Sequence, residues 1–108
     1  MKYLPALSIV VIFLFGCSIA SKAQAPAQEA FRLALACPET DYDCQITNFT
    51  KGIELNAAVP QAYVNRGHAY RMKGSYDLAI VDFTKAIELK PDYLLAYGNR
   101  SDASLKKG

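Results

Sequence analysis

The sequence predicts an all-α fold in which pairs of helices stack on one another. Residues 49–55, FTKGIEL, return 34 residues later as residues 83–89, FTKAIEL. A fixed period of that length is typical of arrays built from helix pairs. In the second copy, Tyr63, Gly67 and Tyr70 follow one another at spacings of four and three. That spacing places one stripe of flat, partly apolar side chains along a helix.

The first element in chain order is predicted to be an export segment, residues 1–25. Met1-Lys2 precedes an uncharged run, residues 3–21, with an apolar centre, and small residues follow. Cys17 ends a Leu-Phe-Gly-Cys sequence that resembles the bacterial lipobox, whose cysteine becomes the lipidated first residue of the mature chain. Residues 21–25 also resemble leader-peptidase sites, and the run approaches the roughly 20 residues that cross a bilayer. A lipoprotein, a cleaved secreted protein and an uncleaved anchor therefore remain open, and all three put the repeats outside the cytoplasm.

The first repeat, residues 26–59, is predicted to be a degenerate helix pair. Its second helix is expected over residues 42–55 and its first over roughly residues 26–36. One period before the central copy, Glu29 stands where a large apolar residue is expected and Leu33 where a small one is expected. We therefore expect the first helix of this pair to fit its partner poorly.

Two features of the second helix in this repeat bear on its stability. Thr40 and Asp43 form a capping-box pattern at its start. Gly52 replaces the alanine found at Ala86 in the next copy. Because a glycine inside a helix costs about 1 kcal/mol relative to alanine, we expect this unit to be the less stable one.

Cys37 and Cys44 flank the turn of the first repeat. If the two helices form a hairpin, the thiols face each other, and export places them in an oxidising compartment. The sequence therefore predicts a disulfide, which would stabilise the hairpin by about 2–3 kcal/mol on the chain-entropy estimate. The alternative is that Cys44 is a small apolar residue in the place of Leu78. A metal site is not expected, because the one histidine, His68, lies in another repeat.

The central repeat, residues 60–93, carries the clearest packing and turn signals. We expect Phe83 to fill the space that Gly67 leaves between the two helices. Gly74 tolerates the backbone conformation that ends a helix, and Ser75 is predicted to cap the next helix through its hydroxyl. This repeat is predicted to be complete.

The third repeat, residues 94–108, contains one helix. Tyr97 echoes Tyr63, and the sequence stops at Gly108, which aligns with Gly74. About 83 residues follow the export segment, near the lower limit for a self-sufficient core. We expect a marginally stable module that is completed by a partner or by self-association, or a fragment of a longer protein.

The period and its residues resemble the tetratricopeptide repeat family. Along its first helix the family favours a large, a small and an aromatic residue, and it has a glycine in the turn that follows. Along its second helix it favours an aromatic, a small, an aromatic and a small residue, and a proline closes the unit. In this order, these positions fall here on Tyr63, Gly67, Tyr70, Gly74, Tyr76, Ala79, Phe83, Ala86 and Pro91. The resemblance implies a helix-turn-helix solenoid of about 2.5 repeats, or five helices, over residues 26–108. It also implies a concave groove that binds peptides or partner proteins.

The resemblance further implies which residues line that groove. The family's ligand-contacting positions include Gln61, Asn65, His68, Arg71, Asn99 and Asp102. Relatives that hold a peptide C-terminal carboxylate use an asparagine where Asn65 stands, with basic residues in neighbouring repeats. The next repeat offers Leu95 and Asn99 instead, so the resemblance supports a protein or peptide ligand but not that particular clamp.

Enzyme, cofactor and nucleic-acid functions find no support in the sequence. It contains no glycine-rich phosphate loop and no His/Cys cluster with metal-ligand spacing, and twelve basic residues nearly balance ten acidic ones. The prediction is therefore a non-enzymatic interaction module of the bacterial cell envelope, without a cofactor, that binds an envelope protein or peptide and is attached to the membrane by its N-terminal lipid or anchor. Two alternatives remain: a structural accessory that self-associates or docks through its open C-terminal helix, and a fragment of a longer repeat protein.

Overall fold

The computed structural model describes residues 25–108, and these residues form five helices joined by short turns. The described part of α1 covers residues 25–36. It is followed by α2 (Tyr42–Leu55), α3 (Pro60–Met72), α4 (Tyr76–Leu89) and α5 (Leu94–Lys107). No strand occurs among these residues. Each helix from α2 to α4 packs against the next along the chain, and α1 contacts α2 through the ring of Phe31, which lies against Gly52. The predicted all-α stack of helix pairs is confirmed.

Residues 1–24 lie outside the described residues. They include Cys17 and all but the last residue of the predicted export segment. In the described part of the chain, no helix is both long and apolar enough to cross a membrane.

The α3–α4 hairpin packs as its small residues predict. Phe83 is fully buried, and a Cβ atom placed on Gly67 would lie 2.8 Å from its ring. Ala79 and Ala86 are also fully buried on α4. Because Gly67 has no side chain, the Phe83 ring can lie directly against the α3 backbone.

The turn between α3 and α4 ends one helix on a glycine but does not use the predicted serine cap. Gly74 has a φ of +81°, a conformation that glycine adopts without steric cost. The prediction for Ser75 was wrong: it occupies the N-cap position, but its side chain makes no capping hydrogen bond to the described residues. Instead, its backbone N–H donates to the carbonyl oxygen of Tyr70 at 2.9 Å, which closes the α3 end.

The first hairpin uses a different register from the one that the 34-residue period predicts. α1 buries Ala27, Ala30 and Ala34, whereas Leu33 is 41% exposed. The reason is the length of the turn: residues 37–41 join α1 to α2, whereas three residues join α3 to α4. The longer turn changes which residues of α1 meet α2, so the comparison of Leu33 with Gly67 does not hold.

Gly52 is a packing position in this shifted register. A Cβ atom on Gly52 would lie 2.2 Å from the nearest ring carbon of Phe31. The expectation that Gly52 simply weakens α2 relative to an alanine was therefore wrong, because an alanine would not fit without moving Phe31.

The α2 cap also differs from the predicted capping box. Asp41, rather than Thr40, is the N-cap residue, and its Oδ1 accepts from the backbone N–H of Cys44 at 3.0 Å. Asp43 is turned away from the cap and forms an ion pair with Lys73. The helix thus begins one residue later than the predicted Thr40–Asp43 pair requires.

α5 lies one 34-residue period after α3 and packs in the same way. Ala103 is fully buried, and the Tyr97 hydroxyl donates to the carbonyl oxygen of Pro91 at 2.9 Å. One period earlier, the Tyr63 hydroxyl makes the same bond to Ala57, also at 2.9 Å. The third helix pair is therefore begun in the same geometry as the second.

Candidate partner-binding groove

A cleft of about 300 Å³ lies between α1 and α3, with the first turn and α2 forming its floor and end. We call it the α1–α3 cleft. Its lining combines apolar and polar side chains, namely Ala34, Leu35, Cys37, Glu39, Gln45, Phe49, Asn65 and His68. A smaller apolar extension of about 90 Å³ continues it along Phe31, Val59 and Ala62. Such a lining suits a ligand that has both apolar side chains and hydrogen-bonding groups.

Asn65 offers its amide nitrogen to this cleft. Its side-chain oxygen already accepts from the Gln61 amide at 3.0 Å. The Gln61 oxygen in turn accepts from the Tyr93 hydroxyl. Among the described residues the Asn65 amide nitrogen has no hydrogen-bond partner, so its two N–H groups can donate to a ligand.

His68 also lines the cleft from α3, three residues after Asn65, and its imidazole is neutral. Burial, and then the charge of Arg71, lower the pKa of His68 below its ordinary value. The ring atom Nδ1 lies 3.2 Å from Arg71 Nη2. A neutral ring that accepts at Nδ1 carries its proton on Nε2, so His68 can also donate to a ligand.

Arg71 joins α3 to α5 rather than lining the cleft. Its Nη1 lies 2.5 Å from the Asp102 carboxylate, and the arginine side chain is 16% exposed. Lys106 approaches the same carboxylate at 3.5 Å. Arg71 is therefore neutralised by Asp102, and the pair holds successive repeats together.

The structure therefore divides the six residues that were predicted to form one groove. Asn65 and His68 line the α1–α3 cleft, and Gln61 lines its extension. Arg71 and Asp102 pair with each other. Asn99 is half-buried on α5 and lines neither the cleft nor its extension.

Sequence reasoning missed the residues that α1 and the first turn contribute to the cleft. Leu35 lines both the cleft and its extension and is 70% exposed. The prediction treated α1 as a poor copy of α3, and so assigned no groove residue to it. The available signal was the pair Leu33 and Leu35, two large apolar residues that do not fit the buried alanine stripe.

The first turn is fixed by a disulfide and by two hydrogen bonds. Cys37 and Cys44 are joined with an S–S distance of 2.01 Å. The Gln45 amide donates to the carbonyl oxygens of Pro38 and Glu39 at 3.2 and 3.1 Å. These bonds hold the end wall of the cleft in place, because Cys37, Glu39 and Gln45 all line it.

A second charged pair, also missed from the sequence, lies in the core away from the cleft. Arg66 donates to both carboxylate oxygens of Asp82, at 2.8 and 2.7 Å, and to the Thr50 hydroxyl at 3.1 Å. Burial raises the pKa of Asp82, although the hydrogen bonds from Arg66 act in the opposite direction. The guanidinium also lies over the rings of Tyr63 and Tyr70. This arrangement links three successive helices, α2, α3 and α4.

No group of three or more His, Cys, Asp or Glu side chains that could hold a metal ion occurs within residues 25–108. The chemistry that the cleft offers is hydrogen bonding and apolar contact. Glu39 is the charged side chain at its rim.

Comparisons with known proteins agree with this geometry. Residues 60–93 match the family model of the tetratricopeptide repeat. Among solved structures, the chain is similar to the TPR2B domain of yeast Sti1, determined in a complex with pHsp70, with a TM-score of 0.60 and 27% identity. That match covers 80% of this chain, and the chain spans 64% of the length of that one. No curated protein matches the sequence. The helix pairs, their period and these matches together show that the described residues form an all-α solenoid similar to that of a tetratricopeptide repeat domain, with residues 60–93 as the repeat that matches the family model.

Proposed function

We propose that the chain is a non-enzymatic interaction module that binds an extended segment of another protein in the α1–α3 cleft. The observation that carries this proposal is the lining of the cleft, where the donors of Asn65 and His68 stand beside the exposed side chain of Leu35. An extended segment offers backbone carbonyl oxygens and alternate side chains, which fit this combination. The similar yeast domain is in a complex with a protein ligand, which supports the same class of partner.

The charges around the cleft favour an uncharged or basic segment over an anionic one. Arg71, the cation nearest His68, is already paired with Asp102 at 2.5 Å. Glu39 adds a negative charge at the rim. Among the described residues that line the cleft and its extension none is a lysine or arginine, so a ligand carboxylate would meet donors but no cation there, and a clamp for a peptide C-terminus is not part of this proposal.

We also propose that the module works in the bacterial cell envelope, attached by a lipid on Cys17 or by its uncleaved N-terminal segment. The uncharged run over residues 3–21 and the lipobox-like sequence ending at Cys17 support this location. The disulfide between Cys37 and Cys44 suits an oxidising compartment. The ligand is then a protein or peptide of the envelope.

A matched pair of leucine substitutions tests the cleft. Peptides selected from a random display library against the purified chain serve as ligands, and their affinities are measured by fluorescence anisotropy. Leu35→Asp places a charge in the cleft and should weaken binding about tenfold or more, because an apolar contact of that size is lost. Leu78→Asp is the control, since Leu78 is 51% exposed on α4 and does not line the cleft.

Circular dichroism of both variants should match the wild type, because both leucines are exposed. The proposal is contradicted if the selected peptides bind Leu35→Asp as tightly as the wild type, or if Leu78→Asp weakens them equally. In either case the peptides use another surface.

A further inference from the structure

The apolar extension of the α1–α3 cleft has the dimensions of a pocket for one side chain. It holds about 90 Å³, and its apolar walls include Phe31, Phe49 and Val59. An apolar cavity of about 150 Å³ takes up one benzene ring. The extension is clearly smaller than that, so it fits an aliphatic side chain better than an aromatic one.

The two amide side chains at this pocket are hydrogen-bonded to each other. The Gln61 amide donates to the Asn65 oxygen at 3.0 Å, and the Gln61 oxygen accepts from the Tyr93 hydroxyl. Among the described residues, no charged side chain lines the extension. A charged or polar ligand side chain would therefore lose its hydration there without gaining a partner, whereas an aliphatic one gains from burial. The free Asn65 N–H groups can donate to the backbone carbonyl oxygen of the same ligand residue.

Packing fixes most of the wall of the pocket. The Phe31 ring lies against Gly52, where a Cβ atom would be 2.2 Å from the nearest ring carbon. Phe49 is 3% exposed and belongs to the core. Val59, in the turn that precedes α3, is half-buried, so its size can be changed with less effect on the core. Val59 is therefore the position at which the size of the pocket can be altered.

The other end of the cleft carries a negative charge. Glu39 and His68 line the cleft but not its extension. None of the ion pairs within residues 25–108 includes Glu39. Because charges across an interface are arranged to be complementary, Glu39 favours a lysine or arginine in the ligand.

The length of α3 gives the spacing between these two features. Ala62 lines the extension, and His68 lines the cleft on the side of the first turn. Because a helix rises about 1.5 Å per residue, the two are about 9 Å apart along α3, which is the length of about three residues of an extended segment.

We propose that the cleft recognises an extended segment of a partner protein in which a valine, leucine or isoleucine fills the extension and a lysine or arginine about three residues away meets Glu39. This inference rests on the proposed function and adds the sequence class of the ligand. Val59 and Phe31 set the size of the aliphatic residue, and Glu39 sets the charge of the second one.

Peptides selected from a random display library against the full-length chain in detergent micelles test the proposal. Those that Leu35→Asp weakens use the cleft, since Leu35 lines both the cleft and its extension. We expect these peptides to be enriched in an aliphatic residue with a lysine or arginine about three residues away. Cleft-binding peptides without this pair would contradict the inference alone. If Leu35→Asp weakens none of the selected peptides, the proposed function itself fails.

Substitutions in one such peptide measure the pocket, with affinities taken from fluorescence anisotropy. Alanine in place of its aliphatic residue should weaken binding about tenfold or more, because a buried side chain is lost. Phenylalanine there should also weaken binding, and Val59→Ala in the chain should reduce that loss about fivefold, because it enlarges the extension. Val81→Ala is the matched control, since Val81 is 63% exposed on α4 and lines neither the cleft nor its extension.

A charge substitution at Glu39 tests the second part. Glu39→Gln should weaken the peptide about threefold at low salt and less at high salt, because an exposed ion pair is lost. A peptide whose basic residue is replaced by glutamine should bind both forms of the chain equally. Glu54→Gln, which changes an exposed glutamate of α2 outside the cleft, should leave the affinity unchanged.

Contrary results overturn the inference at identifiable steps. If alanine in place of the aliphatic residue has no effect, the extension is empty in the complex, whatever the stability of the Val59→Ala chain. If Val59→Ala keeps the circular dichroism of the wild type but does not improve the phenylalanine peptide, another pocket holds that residue. If Glu39→Gln has no effect at low salt, the preference for a basic residue is wrong. If sedimentation shows a dimer of the chain that Leu35→Asp dissociates, the cleft holds a second copy and the proposed function is wrong as well.

Discussion

At the residue scale, glycines inside the helices determine how closely the helices approach. Gly52 and Gly67 each face an aromatic ring from the neighbouring helix, Phe31 and Phe83 respectively. At Gly98, in α5, no described atom beyond its chain neighbours and the backbone of its own helix lies within 4 Å of the place where a Cβ would lie. The same residue type thus serves packing at two positions and leaves open space at the third.

Alanine substitutions at these glycines should change stability in opposite directions. Gly52→Ala and Gly67→Ala force a ring to move, and we expect each to lower the free energy of unfolding by about 1–3 kcal/mol. Gly98→Ala should raise it by about 0.5–1 kcal/mol, because alanine is the better helix former and meets no neighbour. Urea denaturation followed by circular dichroism measures all three.

Gly98→Ala is also the control for the helix-propensity gain that the other two substitutions share. If Gly52→Ala is as stabilising as Gly98→Ala, Phe31 does not pack against Gly52 as described, and the register of α1 needs revision.

At the element scale, the two hairpins solve the same packing problem with different turns. α3 and α4 are joined by three residues with Gly74 at a positive φ. α1 and α2 are joined by residues 37–41, in which Asp41 caps α2 and the Cys37–Cys44 disulfide crosses the turn. The longer turn needs more restraint, and the cross-link supplies it.

The disulfide gives a prediction for the first hairpin. Thiol labelling of the native, unreduced protein should find neither Cys37 nor Cys44 free, with mass mapping of peptides to separate them from Cys17. Replacing both with serine should lower the free energy of unfolding by about 2–3 kcal/mol, since the unfolded chain regains the freedom of the short loop. Reductant should also lower the melting temperature of the wild type, because it breaks the same bond.

The double serine variant supplies the control, because reductant should not change its melting temperature. Complete labelling of both cysteines in denaturant without reductant would contradict the disulfide.

Much of the element pattern could be predicted from the sequence because the second helix of the first pair, α2, is repeated closely in the second helix of the next pair, α4. α2 was predicted over residues 42–55 and is found there, since the period that relates it to α4 is undisturbed. α1 could not be placed in register, because the period carries no information about a turn that is two residues longer. The buried pair Arg66 and Asp82 was also missed, because charged residues 16 positions apart give no sign of meeting before the hairpin geometry is known.

The composition of the candidate site was predictable to a lesser degree. Asn65 and His68 lie on the face of α3 that the repeat pattern assigns to a groove, and both line the cleft. Arg71 lies on the same helix but is paired across to α5, which depends on the packing of the next repeat. Leu35 depends on the α1 register, so no pattern in α3 could reveal it.

At the scale of the whole molecule, one continuous core connects the repeats. Buried residues from Ala34 on α1 to Ala103 on α5 belong to a single cluster. Ion pairs on the surface repeat with the same period, Lys73 with Asp43 and Lys107 with Asp77. Such exposed pairs contribute little individually, so the apolar core supplies most of the stability. Docking at the cleft would therefore act on one cooperative unit.

The proposed location of this unit depends on the N-terminal segment and leads to a prediction about Cys17. If Cys17 is lipidated, the mature protein should lack residues 1–16, carry the mass of a lipid, and be found in the membrane fraction. Cys17→Ser should then release the repeats from the membranes or leave an uncut precursor, because the serine cannot accept the lipid through a thioether. Ser18→Ala, the neighbouring substitution, should change neither the processing nor the fractionation.

Mass spectrometry of the membrane extract separates the three alternatives for the N-terminus. A chain that begins at Cys17 with added lipid mass supports the lipoprotein, and a lipid-free chain that begins between residues 24 and 26 indicates ordinary cleavage. A full chain of 11.9 kDa in the membrane fraction indicates an uncleaved anchor. If Cys17→Ser has the same processing, apart from the substitution itself, and the same fractionation as the wild type, the lipid attachment is wrong. Recovery of the wild-type chain from the cytoplasm, with reduced Cys37 and Cys44, would contradict the envelope location altogether.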